Sequence, residues 1–290
     1  HVVEILAERA TDIAVEAPLF LLVFWSLGLS MVALAAIIWL PIRAIAPLGA
    51  AIILLHPLLA DVPVARFLHQ LFIAQISGLT VISPYPLLPW LGVMALGFGL
   101  GPLFTGAPEM RRKWLLRLGT AAVIGFVALR FIGWGDPLPR QLGAEFGHPV
   151  LGFLNTNKYP ASPQFLLMTL GPAFLALVLL ERVAATGNRV AEFVKMFGRV
   201  PMMYYVVHFY LAHTIAVALA FISHGKAAAA FALLPFPTFG GPADKFPPNF
   251  GYDLWVVYAV WLVVIAVMYP LCKWYAGVKA RRRDWWLSYL

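Results

Sequence analysis

The sequence predicts an all-α, polytopic transmembrane helix bundle of about seven spans plus interfacial helices. Three observations carry this. Of 290 residues, 62% are hydrophobic and 12% charged, whereas a soluble domain has about 25% charged residues. Repeated apolar stretches approach the ~20 residues that a helix needs to cross a hydrocarbon core. The basic residues behind the net charge of +8 gather in alternate loops. The 13 acidic and 21 basic side chains are too few to solvate a globule of this size. Disordered, coiled-coil, collagen and disulfide-knot classes are excluded on composition. Nucleic-acid binding is excluded as well, because the charge forms no water-facing stripe.

The first element, residues 1–18, reads as an amphipathic N-terminal segment. Glu4, Glu8, Asp12 and Glu16 recur every fourth residue and line one helical face. Spans follow at Phe20–Leu40, Ile45–Ala60, Pro86–Phe104, Trp114–Ile132, Pro163–Leu180, Pro201–Ile222 and Leu254–Tyr275. The stretch Val64–Ser83 is apolar but carries Arg66, His69, Gln70 and Gln75. It reads as an interfacial or re-entrant segment. Small residues in Gly97-Phe98-Gly99-Leu100-Gly101 let helices approach closely. The connector His224–Asp253 is rich in Ala, Pro and Gly and includes an interfacial Ala-rich piece. All 290 residues read as a single integral membrane domain.

Charge sets an expected orientation. Arg43, the Arg111–Arg117 cluster, the Arg182–Arg199 segment and the tail from Lys273 fall on one side if the seven spans alternate. Most acids fall on the other. The positive-inside rule then places the N-terminus outside and the C-terminus in the cytoplasm. Arg281, Arg282 and Arg283 precede Trp285, Trp286 and Tyr289, an order that suits phosphates and the headgroup layer. The lone Cys272 excludes an intramolecular disulfide and a Cys-based zinc site. No metal site is expected, since His208 and His213 lie about 140° apart on a helix.

Polar groups in a bilayer are costly and mark sites or helix contacts. In Ser83-Pro84-Tyr85-Pro86-Leu87-Leu88-Pro89-Trp90 the prolines either shape a loop or hold a pocket wall with Tyr85 and Trp90. Asn155, Asn157, Lys158, Tyr159 and Ser162 precede a span. They either bind a sugar or amide, or cap the helix while Lys158 meets lipid phosphate. Tyr204, Tyr205 and His208 share one helical face. His208 reads as a functional residue, and His213 as a core one. Arg130 reads as snorkelling or paired with Asp136, and His56 as a helix-end residue.

These clusters carry a resemblance. The run from Tyr85 to Phe98 (Tyr-Pro-Leu-Leu-Pro-Trp-Leu-Gly-Val-Met-Ala-Leu-Gly-Phe) resembles a motif of a bacterial multi-pass family. That family is related to the heparan-α-glucosaminide N-acetyltransferase catalytic domain. Phe153 to Gly171, Phe197 to Tyr210 and the ending from Tyr269 look similar to its other signatures. The resemblance runs in order from about Trp25 to Leu290. It implies a membrane acyltransferase of the bacterial inner membrane, with acyl-CoA (acetyl-CoA) as a cytosolic co-substrate and no permanently bound cofactor. The acceptor it implies is an amino sugar on the far side. It also leads one to expect further N-terminal helices with a His-containing motif, which residues 1–24 do not resemble.

The expected site follows. Arg111, Arg112 and Lys113, or Arg189 and Arg199, would take the CoA phosphates. The acceptor would sit in the outer half near His69, Asn155, Lys158, Tyr204 and His208. His208 would remove its proton, and Lys158 or Tyr205 would stabilise the oxyanion. The partners expected are the lipid bilayer, acyl-CoA and a saccharide. A transporter or flippase without chemistry is the alternative.

Overall fold

The computed structural model describes residues 19–62, 66–69, 72–76, 79–136, 148–233, 250–282, 284 and 287. The fold is an all-α membrane bundle. Six described helices are long and apolar enough to cross a bilayer. The expected amphipathic segment 1–18 lies outside the described residues, as do Arg283, Trp285, Trp286 and Tyr289. Two compact units divide the chain, one of residues 15–181 and one that includes residues 182–290. Each is described by itself.

The first unit opens with strand β1 (Leu19–Phe20) and helix α1 (Val23–Ile37). The span expected over Phe20–Leu40 is therefore shorter, 15 helical residues. Its start is taken into a strand, and Pro41 follows its end, biasing residue 40 away from helix. Helix α2 (Ile42–Leu55) runs into a 3-10 turn at His56–Leu59. Next come a four-residue helix α3 (Arg66–His69) and strands β2 (Phe72–Ile76) and β3 (Leu79–Ser83). The stretch expected to be interfacial or re-entrant, Val64–Ser83, is not among the long apolar helices and holds a short helix and an antiparallel strand pair. β2 and β3 pair antiparallel from Phe72 opposite Ser83 to Ile76 opposite Leu79. β1 adds parallel to β3, with Leu19 opposite Val81. Backbone pairing in a sheet satisfies N–H and C=O groups that an irregular apolar segment would leave open.

Helices α4 (Leu87–Thr105), α5 (Pro108–Ile132), α6 (Pro149–Leu154) and α7 (Pro163–Ala185) follow. α2 and α4 cross at glycines. A Cβ on Gly49 would lie 2.4 Å from the Leu96 nitrogen, and one on Gly99 would lie 2.4 Å from the Ala46 nitrogen. Close approach of backbones is what such residues permit. Of the Gly97–Gly101 run only Gly99 serves this contact, as Gly97 and Gly101 face open space. α5 and α7 repeat the device: Gly119 meets Leu175, and Gly171 meets Val123.

The second unit holds α8 (Arg189–Arg199), α9 (Pro201–Leu233) and α10 (Leu254–Arg281). Asn188 caps α8 by accepting the Ala191 amide at 2.7 Å. Val200, Val264, Met268, Cys272, Tyr275 and Leu287 form its core. α9 breaks at Gly225, whose φ of 80° suits glycine. Ala228 and Ala232, beyond the break, pack with Ala220, which precedes it.

Gly49→Leu should destabilise the first unit by about 1–3 kcal/mol through overpacking against backbone. Gly97→Ala should be neutral or slightly stabilising, because it adds no contact and improves helix propensity. Thermal melts of the detergent-solubilised chain decide both.

Candidate functional site

The polar residues of the first unit converge at one end of its helices. Arg130, in the last turn of α5, is 3% exposed. It does not snorkel to water. Its guanidinium donates to the carbonyls of Phe153 (2.9 Å), Gly152 (2.9 Å) and Asn155 (2.7 Å), which close α6. A fourth bond goes to Gln164 Oε1 at 3.2 Å. The Gln164 amide donates to the carbonyls of Trp134 and Leu129. Gly133, left-handed at φ 76°, ends α5 and turns the chain toward Asp136.

Asp136 fixes the next segment. Its Oδ2 accepts the Asn157 amide at 3.0 Å and the Ser162 hydroxyl at 2.8 Å. Ser162 Oγ accepts the Phe165 amide at 3.0 Å and so caps α7, with Pro163 in the first turn. Asn157 bonds the Tyr159 backbone in both directions. The Tyr159–Pro160 peptide is cis, and Lys158 pairs with Ala161 as an isolated bridge. The capping role for Ser162 therefore holds, and Asn157 spends its amide on the turn.

Aromatic and imidazole groups gather beside this turn. Tyr85 Oη and Tyr159 Oη are 3.1 Å apart. Tyr85 also lies 5.7 Å, centroid to centroid, from Trp90. Burial first, then the bond to Tyr159, raises the Tyr85 phenol above its ordinary value, against an opposing pull from Lys158. Tyr85 is thus a proton donor at neutral pH. Lys158 is exposed, with Nζ 5.2 Å from the Tyr159 ring centroid.

His56 and His69 are both buried, with their Nδ1 atoms 2.9 Å apart. A neutral imidazole carries one N–H, so one Nδ1 donates and the other accepts. His56 Nε2 is buried with no hydrogen-bond partner among the described residues. Whichever histidine donates its Nδ1–H carries its lone pair on Nε2. Burial lowers the His69 pKa from its ordinary 6.5. The sequence reading placed His56 as a simple helix end. Its partner comes 13 residues later on another element, which no local pattern reveals.

Tyr85 also lines an apolar cavity of about 310 Å³. Trp25, Ser26, Leu29, Leu68, Ser83 and Tyr85 contribute to its wall.

At the opposite end of α7, Glu181 binds Arg111 Nε and lies 3.5 Å from Arg112 Nε. Arg111 also donates to the Phe104 carbonyl. Two of the three cations expected to hold phosphates are thus already engaged, and Lys113 is exposed.

In the second unit Tyr204 and His208 stack at 4.9 Å and 12°, and Tyr205 meets His208 edge-on at 5.8 Å. His208 Nδ1 donates to the Tyr204 carbonyl at 2.8 Å, since a carbonyl only accepts. The lone pair of neutral His208 is therefore on Nε2. Tyr204 and His208 lie one to two turns from Pro201, where α9 follows the basic α8, and Phe197 of α8 packs on Tyr204. α8 carries Arg189, Lys195 and Arg199, with Glu192 bonded to Lys195 at 2.8 Å and 3.6 Å from Arg199. Those contacts, Lys195 first, lower the Glu192 pKa. Among the described residues no group of three or more His, Cys, Asp or Glu could hold a metal.

Fold and composition define an integral membrane protein. Comparison with protein-family models, curated proteins and solved structures gives no match.

Two outcomes are expected. Arg130→Lys cannot reproduce the forked donors. It should lower stability by about 2–4 kcal/mol and open residues 155–162 to protease. For His69, the folded pKa lies below the unfolded one. Acid therefore protonates the unfolded chain first, and stability falls as pH drops below about 6.5. Melts between pH 5 and 7.5 should show this slope, and His69→Gln should flatten it.

Proposed function

We propose that the protein is a membrane-bound acyltransferase that takes an acyl group from acyl-CoA and passes it to a sugar or amino-sugar acceptor. The observation that carries this reading is the buried His56–His69 pair, in a unit that also holds a hydrogen-bonding turn and an apolar cavity walled in part by Tyr85. A base held by a second group is the usual arrangement for activating a weak nucleophile. With its Nδ1–H donated to His56, His69 takes the proton from the acceptor hydroxyl or amine at Nε2. The nucleophile attacks the thioester carbonyl, the carbon–sulfur bond breaks, and CoA thiol leaves with a proton. Tyr85 and Lys158 are donors to the oxyanion. Asn155, Asn157 and Tyr159 frame the acceptor. The CoA phosphates meet Arg111, Arg112 and Lys113, the two arginines released from Glu181, or else Arg189 and Arg199 of α8. His208, with its lone pair on Nε2, lies with Tyr204 and Tyr205 just past α8. The bilayer is a bacterial inner membrane, with the N-terminus outside and the C-terminus inside.

Acyl transfer in membranes tests this. His69→Gln should cost about 10²-fold or more in kcat, and Lys158→Ala and His208→Ala should each lower it. Full activity in all three would sink the assignment.

A second reading is a transporter or flippase. Pro47, Pro102, Pro172 and Pro270 lie inside helices, and α9 breaks at Gly225. Broken helices are common in such proteins. Movement of a lipid or sugar across proteoliposomes without CoA release would favour it.

A further inference from the structure

We infer that the 310 Å³ cavity of the first unit is a binding site for a neutral, single-chain lipid whose uncharged ester or amide head meets Ser26 and Ser83. This does not rest on the acyl-transfer reading, since binding needs no turnover. Three observations point to the ligand.

The first is the wall. Trp25 and Leu29 come from α1, Leu68 from α3, and Leu87 from α4. Among the described residues no charged side chain lines it. A charged head would be buried without a partner there, at a cost that a neutral one avoids. The second is size. The volume sits at the low end of ligand pockets, which run from about 300 to 1,000 Å³. One chain fits that space, and two chains on a glycerol do not. The third is an open hydrogen-bonding demand. Ser26 lines the cavity, is 1% exposed, and its Oγ has no partner among the described residues. Serine within a helix ordinarily bonds the carbonyl one turn back, and Ser26 does not. Ser83, 7% exposed, brings a second hydroxyl from the end of β3. A carbonyl oxygen accepts from both serines, and the chain then lies along Leu29 and Leu68. Entry is lateral, because Trp25 is 49% exposed on the outside of α1.

The test uses the full chain in detergent micelles and monoacylglycerols with chains of two to sixteen carbons. Native mass spectrometry reads the adducts, and titration gives Kd. A saturable one-to-one adduct with a chain-length optimum is expected. Ser26→Ala should weaken it about tenfold, the worth of one hydrogen bond. The same variant should melt no lower than the parent without lipid, because it removes an unpartnered buried hydroxyl. Leu68→Trp should fill the space and abolish the adduct. Three results overturn the site. One is adduct formation that never saturates. Another is equal binding by the parent, Ser26→Ala and Leu68→Trp, which means annular lipid only. The last is a lower melt of lipid-free Ser26→Ala with unchanged Kd, which means that the hydroxyl serves packing.

Discussion

The candidate site depends on one buried cation. Arg130 leaves the last turn of α5 and meets the carbonyls of Gly152, Phe153 and Asn155. Those carbonyls carry the negative end of the α6 dipole, so the guanidinium completes that helix electrostatically. The planar fork sets the direction in which the chain leaves α6. Gln164 then ties the same guanidinium to the start of α7 and to the carbonyl of Trp134. Asp136, two residues on from Trp134, holds Asn157 and Ser162. The turn bearing Lys158 and Tyr159 is thus fastened at both ends to the close of α5. A lysine at position 130 would keep the charge and lose the geometry.

Packing and polarity divide the work in the first unit. Where helices cross, glycine removes side chains so that backbones touch. At their ends, side chains return in order to bond backbone carbonyls. A short amphipathic turn can be held this way without a disulfide, and Cys272 is far along the chain in α10. The second unit uses rings instead. Phe193 stacks on Tyr269 at 4.7 Å, Phe197 meets Tyr204 edge-on, and Tyr204 stacks on His208. This stack joins the basic helix α8 to the membrane helices that follow it.

Much of the fold was legible because apolar length is a local property. The long helices fall where hydropathy places them, and Tyr204, Tyr205 and His208 meet because a helical period fixes them. The hairpin was missed for a physical reason. Phe72–Ile76 and Leu79–Ser83 are apolar and rich in β-branched residues, and Ser77-Gly78 between them is a turn dipeptide. A hydropathy window averages such a pair into one apolar stretch. The site was legible only in part. Tyr85, Asn157, Tyr159 and Ser162 share one region, as their motifs suggest. The His56–His69 bond and the Arg130 bonds span 13 to 34 residues between separate elements. Neither periodicity nor composition encodes a contact of that kind. Arg111 and Arg112 looked available for phosphate because their counter-ion, Glu181, is 70 residues away from Arg111.

The shortness of α1 bears on the bilayer around it. Fifteen residues rise about 22 Å, against a hydrocarbon core of about 30 Å. A helix of that length matches a bilayer only where the bilayer thins or headgroup atoms dip inward along it. Either response would be a local hydrophobic mismatch. It brings ester-level atoms toward the first turns of α1, where Trp25 and Ser26 lie. The deformation itself would then concentrate polar lipid groups at the mouth of the cavity, before any contact with the cavity wall is made.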